Sequence, residues 1–207
     1  MNWPSSSWRS PAALSEAMHN ITHAMAQQGT QAWLERAVIG LNLCPFAKGV
    51  HAKRQIHYAV SDATRPQALL RDLVAELESL VDQDPAVRDT TLLIAPQALH
   101  DFLDFNDFLG EADAALARLA LEGEIQIASF HPAYRFAGTA ADDITNFTNR
   151  SPYPTLHLLR EDSIARAVEA FPEAEAIYEE NMRTLERLGH AGWTALNVGP
   201  GQGGGGV

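Results

Sequence analysis

The chain has 207 residues, 46% of them hydrophobic, and a formal net charge of −11. That size and composition suit one globular domain with a sizeable core, and the acidic balance disfavours nucleic acid or an anionic membrane as the main partner. No run approaches the roughly eighteen apolar residues of a membrane span, and the N-terminus lacks the basic-then-apolar order of a secretory signal, so a cytoplasmic protein is expected. The lone cysteine, Cys44, excludes an internal disulfide and a cysteine-based zinc cage.

Residues 1–30 read as a polar N-terminal extension with room for one short helix, in which Ser10-Pro11 would cap and Leu14, Met18, Ile21 and Met25 recur at helical spacing. Gln27-Gln28-Gly29-Thr30 reads as a break, after which Thr30 caps a helix with Trp33, Leu34, Ala37, Val38 and Leu41 on its apolar stripe. Pro45 and Gly49 close that helix. Gln55 to Val60 alternates like a strand. Thr64 to Val81 is the clearest helix, with Leu69, Leu73, Leu77 and Leu80 on one face, joined by Leu70, Val74 and Val81. Thr90 to Ala95 is nearly continuous apolar sequence, the mark of a strand buried on both faces.

A helical region in one or two pieces follows, carrying Leu99, Phe102, Phe105, Phe108, Leu109, Ala112, Leu116 and Leu119, with Gly123 as its stop. Glu124 to Phe130 and Thr155 to Arg160 read as the third and fourth strands. Ser163 to Phe171 is a short helix, and Pro172 opens a last one carrying Ala176, Ile177, Leu185 and Leu188 and ending at Gly189. The expected fold is α/β (α+β): a single domain over residues 31–195, layered as a sandwich, with about four strands in a mixed sheet and helices packed on it. The first two strands, joined by a helix, should be parallel, and a ferredoxin-like variant is the nearest common plan. Residues 196–207 are a Gly-rich tail too poor in apolar surface to order.

The candidate chemistry gathers around the connection from Phe130 to Pro154, too long for an ordinary loop and rich in aromatics, Asn and Arg. His131 follows the third strand and, with an ordinary pKa near neutrality, is a candidate general acid or base. Arg135 and Arg150 flank the loop with guanidinium forks suited to carboxylate or phosphate, and Asn149 and Ser151 add polar groups beside Arg150. The competing reading is that Arg150 pins the loop by bonding backbone carbonyls, Asp142 or Asp143. Cys44 is a candidate nucleophile or ligand, or else a buried structural cysteine; at a helix C-terminus its thiol pKa would rise, and Lys48 nearby would offset this. His157 lies in the fourth strand on the face of Thr155 and Leu159. If strands three and four are neighbours, Cys44, His131 and His157 could hold a zinc, copper or iron ion. Two windows free of acidic residues, between Glu35 and Asp62 and from Ile144 to Arg160, concentrate Arg36, Lys48, Lys53, Arg54, Arg150 and Arg160 and suggest a local positive field. Walker, dinucleotide-binding and serine-hydrolase motifs are absent.

Gly-Leu-Asn-Leu-Cys-Pro-Phe-Ala at 40–47, Phe-His-Pro-x-Tyr-x-Phe at 130–136 and Asn-Arg-Ser-Pro-Tyr-Pro-Thr-Leu-His-Leu-Leu-Arg-Glu at 149–161 resemble the bacterial family called domain of unknown function 1415. The resemblance covers about residues 31–193. It implies no activity, but its motifs coincide with the cysteine turn and the long loop.

The leading expectation is a cytoplasmic enzyme acting on a small anionic metabolite. Its cleft would lie between the Cys44 turn and the 130–154 loop, with His131 and Cys44 catalytic and Arg150, Arg135, Asn149, Ser151 and Lys48 binding substrate. One alternative is a mononuclear metal or redox site using Cys44, His131 and His157. Another is a non-catalytic binding or scaffold protein, for which the loop aromatics should face water and no pocket should form beside Cys44.

Overall fold

The computed structural model describes residues 23–169 and 176–199; the expected N-terminal helix before residue 23, the start of the last helix at Pro172 and the Gly-rich run from residue 200 lie outside the described residues. Helix α1 runs from residue 23 through 33 and continues as a π-helical stretch, Leu34–Ile39. It passes through Gly29 and Thr30 without a break. Thr30 is buried and its hydroxyl returns a bond to the carbonyl of Ala26 at 2.9 Å, so it is an interior residue and not a cap. Gly29 faces Tyr153, and a Cβ there would meet the ring at 3.4 Å, an ordinary contact.

Gly40 ends the π stretch, with its N–H on the carbonyl of Glu35 at 3.0 Å. Asn42 then takes the left-handed conformation (φ 57°) and turns the chain into Leu43 and Cys44. Helix α2, Ala47–Ala52, includes Gly49, which therefore does not terminate the preceding helix.

Strand β1 (Ile56–Val60) leads through helix α3 (Pro66–Asp82) to strand β2 (Thr90–Ile94), and the two strands pair in parallel as expected. Leu69, Leu73, Leu77 and Leu80 of α3 are all at most 1% exposed, each worth about 1.5–3 kcal/mol of burial. Helix α4 is a single piece, Phe102–Arg118, and Asp101 caps its start, accepting from the N–H groups of Leu103 and Asp104. Leu99 lies before it at φ 55°. Its left-handed stop is Ala120 (φ 55°), while Gly123 (φ 80°) serves the following turn.

Strands β3 (Ile125–Phe130) and β4 (Thr155–Arg160) are antiparallel neighbours, and the sheet order is β1-β2-β4-β3. The ferredoxin-like plan runs β-α-β-β-α-β; here the order is β-α-β-α-β-β, so the likeness stops at a four-stranded mixed sheet. Helix α5, Glu161–Glu169, follows β4 directly. Helix α6, Ile177–Ala195, kinks at Gly189 (φ 63°) but does not end there.

One sheet face packs Leu93, Leu156, Leu158 and Ile125 against α3 and α4 as the main core. The other face carries a smaller cluster of Trp33, Leu34, Ala37 and Val38 of α1 with Val198, so ordered packing reaches past residue 195. Arg36 fastens that end, donating to the carbonyl of Asn197 at 3.1 Å.

Candidate functional site

The smaller cluster does not cover its sheet face completely. What remains is a groove of about 460 Å³ whose floor is supplied by all four strands: Ile56, Thr90 and Leu92, His157 and Leu159, and Gln126, Ala128 and Phe130. Its walls are Leu34 of α1, the Cys44–Val50 turn and helix, and Ile164 and Ala167 of α5. The lining is predominantly aliphatic and aromatic, with few polar groups, as small-molecule sites commonly are.

His157 sits near the middle of the floor, in register with Leu92 on one side and Ala128 on the other. The hydroxyl of Thr90 lies 2.6 Å from the carbonyl of Leu158 and must donate its single hydrogen there. The same oxygen lies 2.7 Å from His157 Nε2, so it accepts from the ring. That fixes the neutral ring as the Nε2–H tautomer and leaves Nδ1 as a lone-pair acceptor, with no hydrogen-bond partner among the described residues. Burial pushes the His157 pKa down to about 4.

Cys44 is partly buried at the rim of the same groove. Burial raises its thiol pKa, and the backbone N–H groups of Ala47 and Phe46 oppose the rise. The rise expected from a helix C-terminus therefore has a different cause. Cys44 stands at the entry to α2, where free amides favour the thiolate, and desolvation wins.

The other predicted site residues lie elsewhere. His131 is fully buried on the opposite face, its ring packed on Phe102 and Phe105 of α4. Its Nδ1 accepts from the N–H of Ala133 at 3.0 Å and its Nε2 donates to the carbonyl of Leu99 at 3.0 Å. Both nitrogens are spent on backbone and burial lowers its pKa, so in this structure the ring staples the start of the loop to the segment before α4. β3 and β4 are adjacent as the metal reading required, but His131 falls across the sheet from His157 and Cys44. The three cannot share an ion, and among the described residues no group of three or more His, Cys, Asp or Glu could hold one.

The 130–154 loop is a packed structure in its own right. A 3₁₀ turn, Ile144–Asn149, is capped by Asp143, and Phe147 packs edge-on against Trp193 of α6 at 5.0 Å. Buried Asn146 accepts from the Phe136 N–H and the Thr139 hydroxyl and donates to the carbonyl of Ala140. Arg150 lies over the Phe147 ring at 4.1 Å and donates to the carbonyls of Tyr134 (3.3 Å) and Ala141 (2.5 Å). The pinning reading thus describes Arg150, though its partners are carbonyls and not Asp142 or Asp143. Asn149 donates to the carbonyl of Ser129, and Ser151 to that of Tyr153. Arg135 and Lys48 are exposed and do not line the groove. Among the described residues only Phe130, a strand residue, connects the loop to the groove, and no cleft between the loop and the cysteine turn is seen there.

Sequence reasoning missed Thr90, Gln126, Ala128 and the α5 wall. Thr90 read as one more buried strand residue, and nothing local marks its hydroxyl as the partner of a ring 67 positions away.

Residues 25–195 match the family described as protein of unknown function (DUF1415), and the chain belongs to that family. No curated protein and no solved structure matches it.

Proposed function

We propose that this member of the family binds a small molecule with an apolar body in the groove between the sheet, α2 and α5, its polar group donating a hydrogen bond to His157. One observation carries the reading: a predominantly apolar floor holds a neutral imidazole whose Nε2 is committed to Thr90 and whose Nδ1 is left to accept. A ligand donor entering the groove that His157 lines would give this acceptor a hydrogen bond. The scaffold alternative loses support, because Tyr134 and Phe147 pack on Phe102 and Trp193 and a pocket does lie beside Cys44.

The enzymatic form of the proposal narrows to Cys44 and His157, the two predicted reactive residues that share the groove. With the thiol pKa raised and the imidazole pKa lowered, they form a neutral pair in the empty groove. A thiolate nucleophile would have to be generated by the bound substrate. A reducing compartment such as the cytoplasm belongs to the same proposal, since it keeps Cys44 a free thiol.

The test is a thermal-shift screen of small metabolites against the wild type and two groove-filling variants, Ala128→Phe on the floor and Ala167→Phe on the α5 wall. Compounds that stabilise the wild type should lose their effect on both variants, whose own cooperative unfolding shows that they fold. Undiminished stabilisation of the filled variants would sink the reading.

A further inference from the structure

The groove does not end blindly. Val50, Lys53, Asp89, Ser163 and Ala167 line it and also line a second hollow of about 400 Å³, which adds Gln55, Pro85, Ala86 and Arg166. Apolar space on the sheet therefore opens into a polar mouth between the end of α2 and the first turns of α5.

The charges at that mouth are unevenly satisfied. Among the described residues Asp89 is the one carboxylate lining either hollow, and its oxygen already accepts from the Ser163 hydroxyl at 2.6 Å. The Gln55 amide is spent on the carbonyls of Pro85 and Ala86. Arg166 donates to Ser163 Oγ at 2.8 Å and forms no ion pair with a carboxylate among the described residues; Asp162 lines a neighbouring hollow with it. Lys53, exposed at the C-terminal cap of α2, has no hydrogen-bond or ion-pair partner among the described residues. Among the described residues that line the mouth, two cations thus face one carboxylate already engaged by Ser163, with Asp162 one helical turn from Arg166 on the neighbouring hollow.

We infer that the groove's ligand is an amphipathic anion, its apolar body lying on the sheet and its carboxylate or other acidic group held at the mouth by Lys53 and Arg166. This rests on the groove being a ligand site. It moves anion recognition from the 130–154 loop, where the guanidinium of Arg150 is consumed by carbonyls, to the mouth, where cationic groups remain available. The competing account is that Lys53 merely complements the α2 dipole and Arg166 merely orders Ser163. On that account their loss would change stability and leave ligand affinity alone.

Octanoate and 1-octanol, which share a chain and differ in head-group charge, separate the two accounts by calorimetric titration at low salt. Octanoate should bind about tenfold more tightly than octanol to the wild type. The Lys53→Met/Arg166→Met double variant should bring octanoate to the affinity of octanol without changing octanol, while Lys53→Arg should keep the preference. Equal binding of both probes by wild type and double variant overturns the anionic assignment and leaves the groove reading standing. Absence of octanoate binding at millimolar concentration also overturns the assignment. Octanoate binding that Ala128→Phe does not weaken overturns the groove reading with it.

Discussion

Protonating His157 should destabilise the protein in a defined pH window. The ring's ordinary pKa is 6.5, and burial among Leu92, Ala128 and Phe130 lowers it to about 4 in the folded chain. Between those values the unfolded state binds the proton and the folded state resists it. The neutral ring's contribution is therefore intact above pH 6.5 and is lost as pH falls toward 4. At 1.36 kcal/mol per unit the full shift corresponds to about 3 kcal/mol, and the partial exposure of the ring reduces the expected loss to about 2 kcal/mol. Urea unfolding of the wild type at pH 7.5 and pH 4.5 reads this together with every other titrating group. His157→Gln, which can still donate to Thr90 but does not titrate, removes His157 alone. The pH-dependent loss should be about 2 kcal/mol smaller in the variant. His131 is present in both proteins and cancels. Equal losses in the two, or a His157 ring proton that titrates by NMR near 6.5, would refute the reasoning.

Three other outcomes test the assignments of neighbouring groups. Arg150→Ala should cost about 1–3 kcal/mol of stability in urea unfolding, through lost carbonyl bonds and the Phe147 contact; any groove ligand should bind unchanged, and a selective loss of binding would restore Arg150 to the site. Gly40→Ala should lower stability by about 1–3 kcal/mol, because the new methyl would lie 2.3 Å from the Arg36 carbonyl; an unchanged melting temperature would show that the π turn relaxes freely. Iodoacetamide should alkylate Cys44 more slowly than free cysteine at pH 8, since burial raises its pKa; a faster reaction would mean an activated thiol.

Where a pattern repeats within one element, the sequence was a sufficient guide to the fold. The four leucines of α3 and the span of β4, Thr155–Arg160, follow from periods of about 3.6 and 2 residues, which are local properties. Glycine was the less reliable guide. Gly29 and Gly189 both read as helix ends, yet one lies inside a helix against Tyr153 and the other inside a kink, and the stop assigned to Gly123 belongs to Ala120. A glycine can mark a positive φ, a close approach or, as at Gly49 and Gly110, neither, and only the packed structure distinguishes them.

The site turned on strand parity. Cys44 and His157 could be singled out because their residue types are chemically conspicuous, and they do share a groove. His131 was conspicuous for the same reason, but alternation sends Ala128 and Phe130 to the groove face and His131, one position on, to the core. That parity could be applied only with the β3–β4 register in hand, Ala128 opposite His157 and Phe130 opposite Thr155. A two-residue hairpin writes its register into its turn. Here the strands are joined by the whole 130–154 loop, and its register is held by tertiary bonds such as the His131 N–H to the Asn149 carbonyl at 3.1 Å. The length that made the loop look functional is thus what concealed the site. Its aromatics and Arg150 brace β3 against β4, and this alignment brings His157 between Leu92 and Ala128 on the open face of the sheet.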